Sequence, residues 1–376
     1  MGDAPPAQDR ILIANAGGIS PALLEEIQAK FPSADITYLK LENFTPIPIA
    51  EYARRATHIV TFSNLPSVED VSEVKLIHLF SAGVDHIMTH PIVQETNIPL
   101  TSSSGIHGPP IAEWVIMNWL VASRRFVSIY KSQEQHVWGK YGDWMTGVRD
   151  QVGRKVGILG YGSIGRQSII LSHNPHLLTK QQNGTVGRVA SALGMKVYAH
   201  TASPRPTPAS RIDRGYIVPG TGDREGTIPV SWHHGTDRAS IREFLALGLD
   251  HLVIALPLTP QTTHLLGAAE FQLLAEHAPS KPYVTNIARG KIVDQKALVA
   301  ALQDGVLGGA ALDVTDPEPL PAEDPLWDAP NVQISPHISG AGMEYIPRSL
   351  DILKENLGRL ARGEEILNEY KRGKGY

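Results

Sequence analysis

Four polar residues in the C-terminal part of the chain sit where chemistry could be done. Arg289 stands in Asn286-Ile-Ala-Arg-Gly290, directly after an apolar run. Asp313 closes Gly309-Ala-Ala-Leu-Asp313, Glu318 lies between Pro317 and Pro319, and His337 lies in Ser335-Pro-His-Ile-Ser339. A guanidinium can grip a carboxylate through two parallel hydrogen bonds, which a lysine cannot copy. An imidazole can give and take a proton near neutral pH. A carboxylate beside it would hold the ring in one orientation and favour its charged form. Each residue also has a plainer reading: a solvated Arg on a turn, a capping Asp, a surface Glu, one inert His among fifteen. What changes the balance is their shared position after strand-like segments, downstream of a glycine motif.

That motif is Lys155-Val-Gly-Ile-Leu-Gly-Tyr-Gly-Ser-Ile-Gly-Arg-Gln167. Val156 to Leu159 read as a buried strand, and Ile164 opens a helix. Gly160 makes the tight turn, Gly162 lets backbone approach a pyrophosphate, and Gly165 lets the helix pack close to the strand. The helix N-terminus offers unpaired N–H groups to the phosphates. A G-x-G-x-x-G in this strand-to-helix context is a dinucleotide fingerprint. In an open α/β sheet, strand C-termini face the ligand crevice. Arg289 is therefore aimed at the bound cofactor, where it would bind a substrate carboxylate and polarise the adjacent carbonyl. Asp313 is placed at the nicotinamide end.

The elements that must position these residues alternate. Arg10–Asn15, 35–39, 57–61 and 74–80 read as short strands, and Ser20 as the cap of a helix to about Phe31. His107-Gly-Pro-Pro begins an apolar helix to about Arg125. Further strands are expected at 195–199, 251–257, 283–287, 309–314 and 332–335, with an amphipathic helix over 346–362. Residues 201–236, rich in Pro, Gly and Ser, are expected to be mostly loop. The alternation predicts an α/β protein of two domains, each a parallel sheet flanked by helices, one of them a Rossmann-type nucleotide domain.

Composition agrees. At 376 residues the chain is long for one core. It is 42% hydrophobic and 19% charged, with a formal net charge of −4, so no nucleic-acid or membrane partner is indicated. The absence of cysteine excludes disulfides, thiolate metal sites and cysteine nucleophiles. No metal site is assigned. The polar start, without an apolar signal core, points to the cytoplasm.

The order Gly-Tyr-Gly-Ser-Ile-Gly, Leu256-Pro-Leu-Thr-Pro-Gln-Thr262, Asn-Ile-Ala-Arg-Gly, Ala311-Leu-Asp-Val with Glu-Pro, and Ser-Pro-His-Ile-Ser-Gly resembles the D-isomer-specific 2-hydroxyacid dehydrogenases over nearly the whole chain. The resemblance implies hydride transfer between NAD(P) and a 2-hydroxyacid/2-oxoacid couple, and a homodimer. It implies His337 as acid–base, Glu318 as its partner and Arg289 as carboxylate binder. Ala82, Gly83 and Val84 resemble the family's backbone carboxylate nest. Cofactor contacts are assigned to Gly160, Tyr161, Gly162, Ser163, Ile164, Gly165, Thr201, Arg205, Pro257, Ala288 and Asp313. The substrate-side domain is expected at 1–122 plus 343–376, and the NAD(P)-binding domain at 123–342. Formate dehydrogenases on this fold carry Gln in place of the Glu partner, so Glu318 argues against formate.

Two departures stand out. Thr201 replaces the acid that usually takes the adenine-ribose hydroxyls, and with Ser203 and Arg205 close by a 2′-phosphate becomes acceptable, which tilts the expectation to NADP. Residues 168–185 interrupt the pyrophosphate helix. Thr201 lies 41 positions after Gly160 (201 − 160), and removing that stretch brings the spacing to 23 (41 − 18). It reads as a foreign insertion, with a genuine regulatory loop as the alternative. Two other readings compete: an NAD(P)-sensing, corepressor-like binding protein without turnover, and an inactive product of a faulty gene model.

Overall fold

The computed structural model describes residues 8–15, 18–41, 49–162 and 190–372. The chain divides into two compact units, Met1–Ile106 with Gly342–Tyr376, and His107–Ala341. Ser163, Ile164, Gly165 and the 168–185 stretch lie outside the described residues.

The first unit is a five-stranded parallel sheet of β1 (Arg10–Asn15), β2 (Asp35–Lys40), β3 (His58–Thr61), β4 (Leu76–Leu79) and β5 (Leu100–Thr101), in the order β2-β1-β3-β4-β5. Its central strands are buried along their length, as near-continuous apolar runs must be in a sheet covered on both faces. The helix Pro21–Lys30 starts where Ser20 Oγ accepts the Leu23 N–H at 3.2 Å, with proline in its first turn. The helix Tyr345–Arg362 buries Leu350, Ile352 and Leu353 on one face. Ser349 of that helix meets Ser103 Oγ at 2.7 Å and His78 Nε2 at 3.2 Å, all within this unit.

The second unit holds seven parallel strands: β6 (Lys155–Leu159), β7 (Lys196–Thr201), β8 (Ser231–His234), β9 (His251–Ile254), β10 (Tyr283–Asn286), β11 (Gly309–Leu312) and β12 (Val332–Ile334). Their order is β12-β11-β10-β9-β6-β7-β8. Leu159 pairs with His200 on one side and Ile254 on the other, so the strand order reverses at β6. That reversal is the topological switch point where doubly wound sheets bind ligands.

One expectation shifts. The boundary between the units falls at 106/107, not at 122/123. The helix Gly108–Ser123 joins the second unit, because Ile111, Ala112, Val115 and Trp119 pack with Val156, Ile158 and Ala311 of its sheet. Trp119 Nε1 also donates to Thr285 Oγ1 at 2.9 Å. The 201–236 stretch is mostly loop as expected, and it also supplies the short helix Pro208–Arg211 and the edge strand β8. Ser-Trp-His-His is only half-buried, and so lacks the apolar run by which the inner strands announce themselves.

Candidate active site

The candidates of the second unit lie at or after the ends of its strands. All these strands are parallel, so their C-terminal ends lie along one edge. Gly160 to Gly162 follow β6, Thr201 ends β7, Pro257 follows β9, Ala288 and Arg289 follow β10, Asp313 follows β11, and His337 follows β12.

The glycine turn fits a dinucleotide. Gly160 has φ +101, and a Cβ there would come within 2.6 Å of the Ala255 carbonyl oxygen beyond β9. Only glycine fits a turn wedged at the switch point in this way. Around Gly162 a Cβ would meet nothing within 4 Å among the described residues, as backbone that takes a phosphate requires. Gly160 and Tyr161 donate their N–H groups to the His200 carbonyl, fixing the turn to β7. The Tyr161 side chain turns inward. It is 1% exposed and donates to Asp223 Oδ2 at 2.9 Å, so this position contributes its backbone to the turn.

At the end of β7 the buried Thr201 hydroxyl donates to the Ser203 carbonyl at 2.8 Å. Arg205 Nη1 donates to the Ser210 carbonyl at 2.6 Å, and its buried Nε has no hydrogen-bond partner among the described residues. Pro257 is exposed, and its carbonyl accepts the Thr262 hydroxyl.

The catalytic candidates are built from loops tied down by polar groups. His337 Nδ1 and Glu318 Oε1 are 2.7 Å apart, on half-exposed side chains. His337 has φ +57, and its N–H donates to the Asp313 carbonyl at 2.9 Å. Asp313 is 2% exposed. Its carboxylate accepts from Ser335 Oγ at 2.6 Å, from the Ile338 N–H at 2.8 Å, and from both the N–H and the hydroxyl of Ser339. Those donors flank His337 on both sides. The carboxylate expected at the nicotinamide is thus engaged in fixing the histidine loop.

Glu318 sits between cis Asp316–Pro317 and cis Glu318–Pro319 bonds. Thr315 Oγ1 donates to the Pro317 carbonyl, and the Asp316 N–H donates to Gln295 Oε1 at 3.0 Å. Arg289 is half-buried on an extended backbone, and its Nη1 donates to the Ala288 carbonyl at 2.8 Å. Asn286 shapes that turn: its Oδ1 accepts the Ala288 N–H and its Nδ2 donates to the Arg289 carbonyl. Asn286 and Gln295 were not singled out from the sequence. The asparagine ending an apolar strand was the available signal, while Gln295 lies on an ordinary helix and gave none.

Ala82, Gly83 and Val84 belong to the first unit, on the turn after β4, where Ser81 Oγ donates to the Gly83 carbonyl at 2.9 Å. Among the described residues no helix is long and apolar enough to cross a membrane.

A Rossmann-type sheet with a glycine turn at its switch point, and a carboxylate-paired histidine two strands beyond an arginine on the same edge, defines a class: nucleotide-dependent oxidoreductases. Comparison with known proteins makes the class specific. The sequence model of the NAD-binding domain of D-isomer specific 2-hydroxyacid dehydrogenases matches residues 224–339. A glyoxylate reductase of Thermofilum pendens is 30% identical over 295 residues, covering 77% of this chain and 73% of that one. The glyoxylate/hydroxypyruvate reductase A of Salmonella typhimurium is 27% identical over 321 residues, 83% and 85% of the two chains. A D-isomer specific 2-hydroxyacid dehydrogenase from Xanthobacter autotrophicus, solved in complex with NADPH and MES, shares the fold with a TM-score of 0.71 at 24% identity, covering 98% of this chain and all of that one. The chain belongs to the D-isomer-specific 2-hydroxyacid dehydrogenase family. It is an oxidoreductase that transfers a hydride between NAD(P) and a 2-hydroxyacid/2-oxoacid couple. A binding-only, corepressor-like role finds no support among these relatives.

Proposed function

We propose that this chain reduces a small 2-oxoacid of the glyoxylate or hydroxypyruvate kind with NADPH, using Arg289, Glu318 and His337. The observation that carries the reading is the 2.7 Å contact between His337 Nδ1 and Glu318 Oε1, on the sheet edge that also carries Arg289 and the glycine turn. The substrate class is supported by the names of the Thermofilum and Salmonella relatives.

The residues divide the work. NADPH, when bound, supplies the hydride. Arg289 grips the substrate carboxylate and draws electron density from the neighbouring carbonyl. His337 gives a proton to that carbonyl oxygen as the alkoxide forms, and takes it back in the oxidative direction. Glu318 accepts the Nδ1 hydrogen, so Nε2 faces the reacting oxygen. Asp313 holds the histidine loop. The Ala82–Val84 turn is proposed as a further carboxylate-binding element.

The preference for NADPH rests on Thr201, which brings no carboxylate to repel a 2′-phosphate, and on Arg205 close to it in the chain. Measuring kcat/KM for NADH and NADPH tests it. NADPH is expected to serve at least as well, and a preference for NADH of about tenfold, ~1.4 kcal/mol, contradicts it. The enzyme is proposed to work in the cytoplasm as a homodimer. Exposed Phe126, Tyr130, Val137, Trp138 and Tyr141 support a second copy of the chain as the partner. Sedimentation should give a dimer that Trp138→Glu weakens, and a monomeric wild type contradicts it.

A further inference from the structure

Glu318 lies on a segment that leaves β11 and rejoins the sheet only at β12. Its carboxylate meets His337 Nδ1 only while that segment is held in place. The segment's own hydrogen bonds are local: Thr315 Oγ1 donates to the Pro317 carbonyl, and the Asp324 N–H to the Pro321 carbonyl at 3.1 Å.

One side chain from another element grips the segment at two points. Gln295 is the first residue of the helix Gln295–Gln303 and is half-buried. Its Oε1 accepts the Asp316 N–H at 3.0 Å, and its Nε2 donates to Asp324 Oδ2 at 3.0 Å. Asp316 and Asp324 stand on either side of Glu318 in the chain, so a single amide spans the segment. Asp324 is held from its other oxygen too: Oδ1 accepts the Leu326 N–H at 2.9 Å, at the start of the turn Pro325–Asp328.

The residue type matters. An amide offers an acceptor and a donor on one planar group. The backbone N–H needs the acceptor, and the carboxylate needs the donor. Glutamate would meet the N–H and repel Asp324, and leucine would meet neither. The amide also stands on a fixed platform. Asp294 Oδ1 caps the helix by accepting the Ala297 N–H at 3.1 Å, and Leu298, Val299, Ala301 and Leu302 are buried along it. The same helix follows Arg289 after the turn Gly290–Ile292, so one element sets the places of both Arg289 and Glu318 within the second unit.

We propose that Gln295 is a positioning residue for proton transfer: its amide sets the segment so that Glu318 reaches His337. It acts through the Asp316 backbone and the Asp324 side chain. The proposal rests on the reading of Glu318 as the partner of His337. The test is steady-state NADPH oxidation with glyoxylate or hydroxypyruvate, whichever the wild type reduces faster. Gln295→Leu should lower kcat by about ten- to a hundredfold, the scale of a small misplacement of a catalytic group. KM for the oxoacid should stay at the wild-type value, because Asn286 still shapes the Arg289 turn. Added to Glu318→Ala, Gln295→Leu should cost nothing further, since the group it positions is gone. Gln295→Glu should also lose kcat, and the double variant Gln295→Glu/Asp324→Asn should regain it, because the second change returns a donor to the contact. Wild-type kcat in Gln295→Leu overturns the proposal. So does a further loss on top of Glu318→Ala, which identifies a general structural role, or a double variant no faster than Gln295→Glu. Wild-type kcat in Glu318→Ala overturns the functional reading itself, and this proposal with it.

Discussion

At the residue scale, the site depends on what each charge is tied to. Arg289 reaches its position because Asn286 shapes the turn from both sides and Arg289 Nη1 holds the Ala288 carbonyl. Lysine would keep the charge and lose the planar fork. For Arg289→Lys, steady-state kinetics should show KM for the oxoacid raised by about ten- to a hundredfold, the scale of a hydrogen bond to a charged group. An unchanged KM would remove Arg289 from carboxylate binding. Arg289, Glu318 and His337 were legible in the sequence because their types are chemically expressive and each sits near the end of an apolar run. The job of Asp313 was not legible. Its carboxylate is buried by Ser335, Ile338 and Ser339, a contact made by the adjacency of β11 and β12 and visible only after folding.

At the scale of elements, the loops carrying Arg289 and Glu318 are pressed together at Gly290. A Cβ there would lie 1.9 Å from the Thr315 carbonyl oxygen, a backbone atom that has no rotamer to escape through. Gly290→Ala should therefore cost about 1–3 kcal/mol of stability, the scale of overpacking. It should also lower kcat, since Thr315 anchors the segment leading to Glu318. Thermal unfolding and turnover measured on one preparation check both, and wild-type values in each would contradict the contact. The inner strands were readable because parallel strands covered on both faces are apolar along their length. The edge strand β8 was not, because none of its residues is fully buried. The 168–185 stretch was flagged by its spacing and by its helix breakers Asn174-Pro175 and Asn183-Gly184. If it is a foreign insertion, deleting it should leave kcat and thermal stability unchanged or improved, and a loss of either identifies a functional loop.

At the scale of the whole molecule, His78, His200 and His251 lie deep in the fold. Burial pushes His78 and His200 down to about 4 and His251 to about 3, from a usual 6.5. Their folded values are depressed, so the unfolded chain binds these protons first as pH falls. Stability is then fully present above pH 6.5 and is lost progressively from pH 6.5 down to about 4 for His78 and His200 and about 3 for His251. Each such histidine contributes a slope of about 1.4 kcal/mol per pH unit. The melting temperature should fall steeply across that window and stay flat from pH 7 to 8. A melting temperature independent of pH between 7 and 5 would show that these rings are not buried as neutral groups. The two-unit plan was legible from length and from the resemblance. The place of the helix Gly108–Ser123 was not, because an apolar helix does not say which of two sheets it will cover.

The central claim is that His337 transfers the proton that accompanies the hydride. It is tested most directly by comparing the wild type with His337→Ala in NADPH oxidation driven by glyoxylate and by hydroxypyruvate. The expected result is a wild type active on at least one of the two, and a variant whose kcat is lower by about two to four decades. NADPH binding to the variant, followed by fluorescence, should be unchanged. Near-normal turnover by His337→Ala would contradict the assignment.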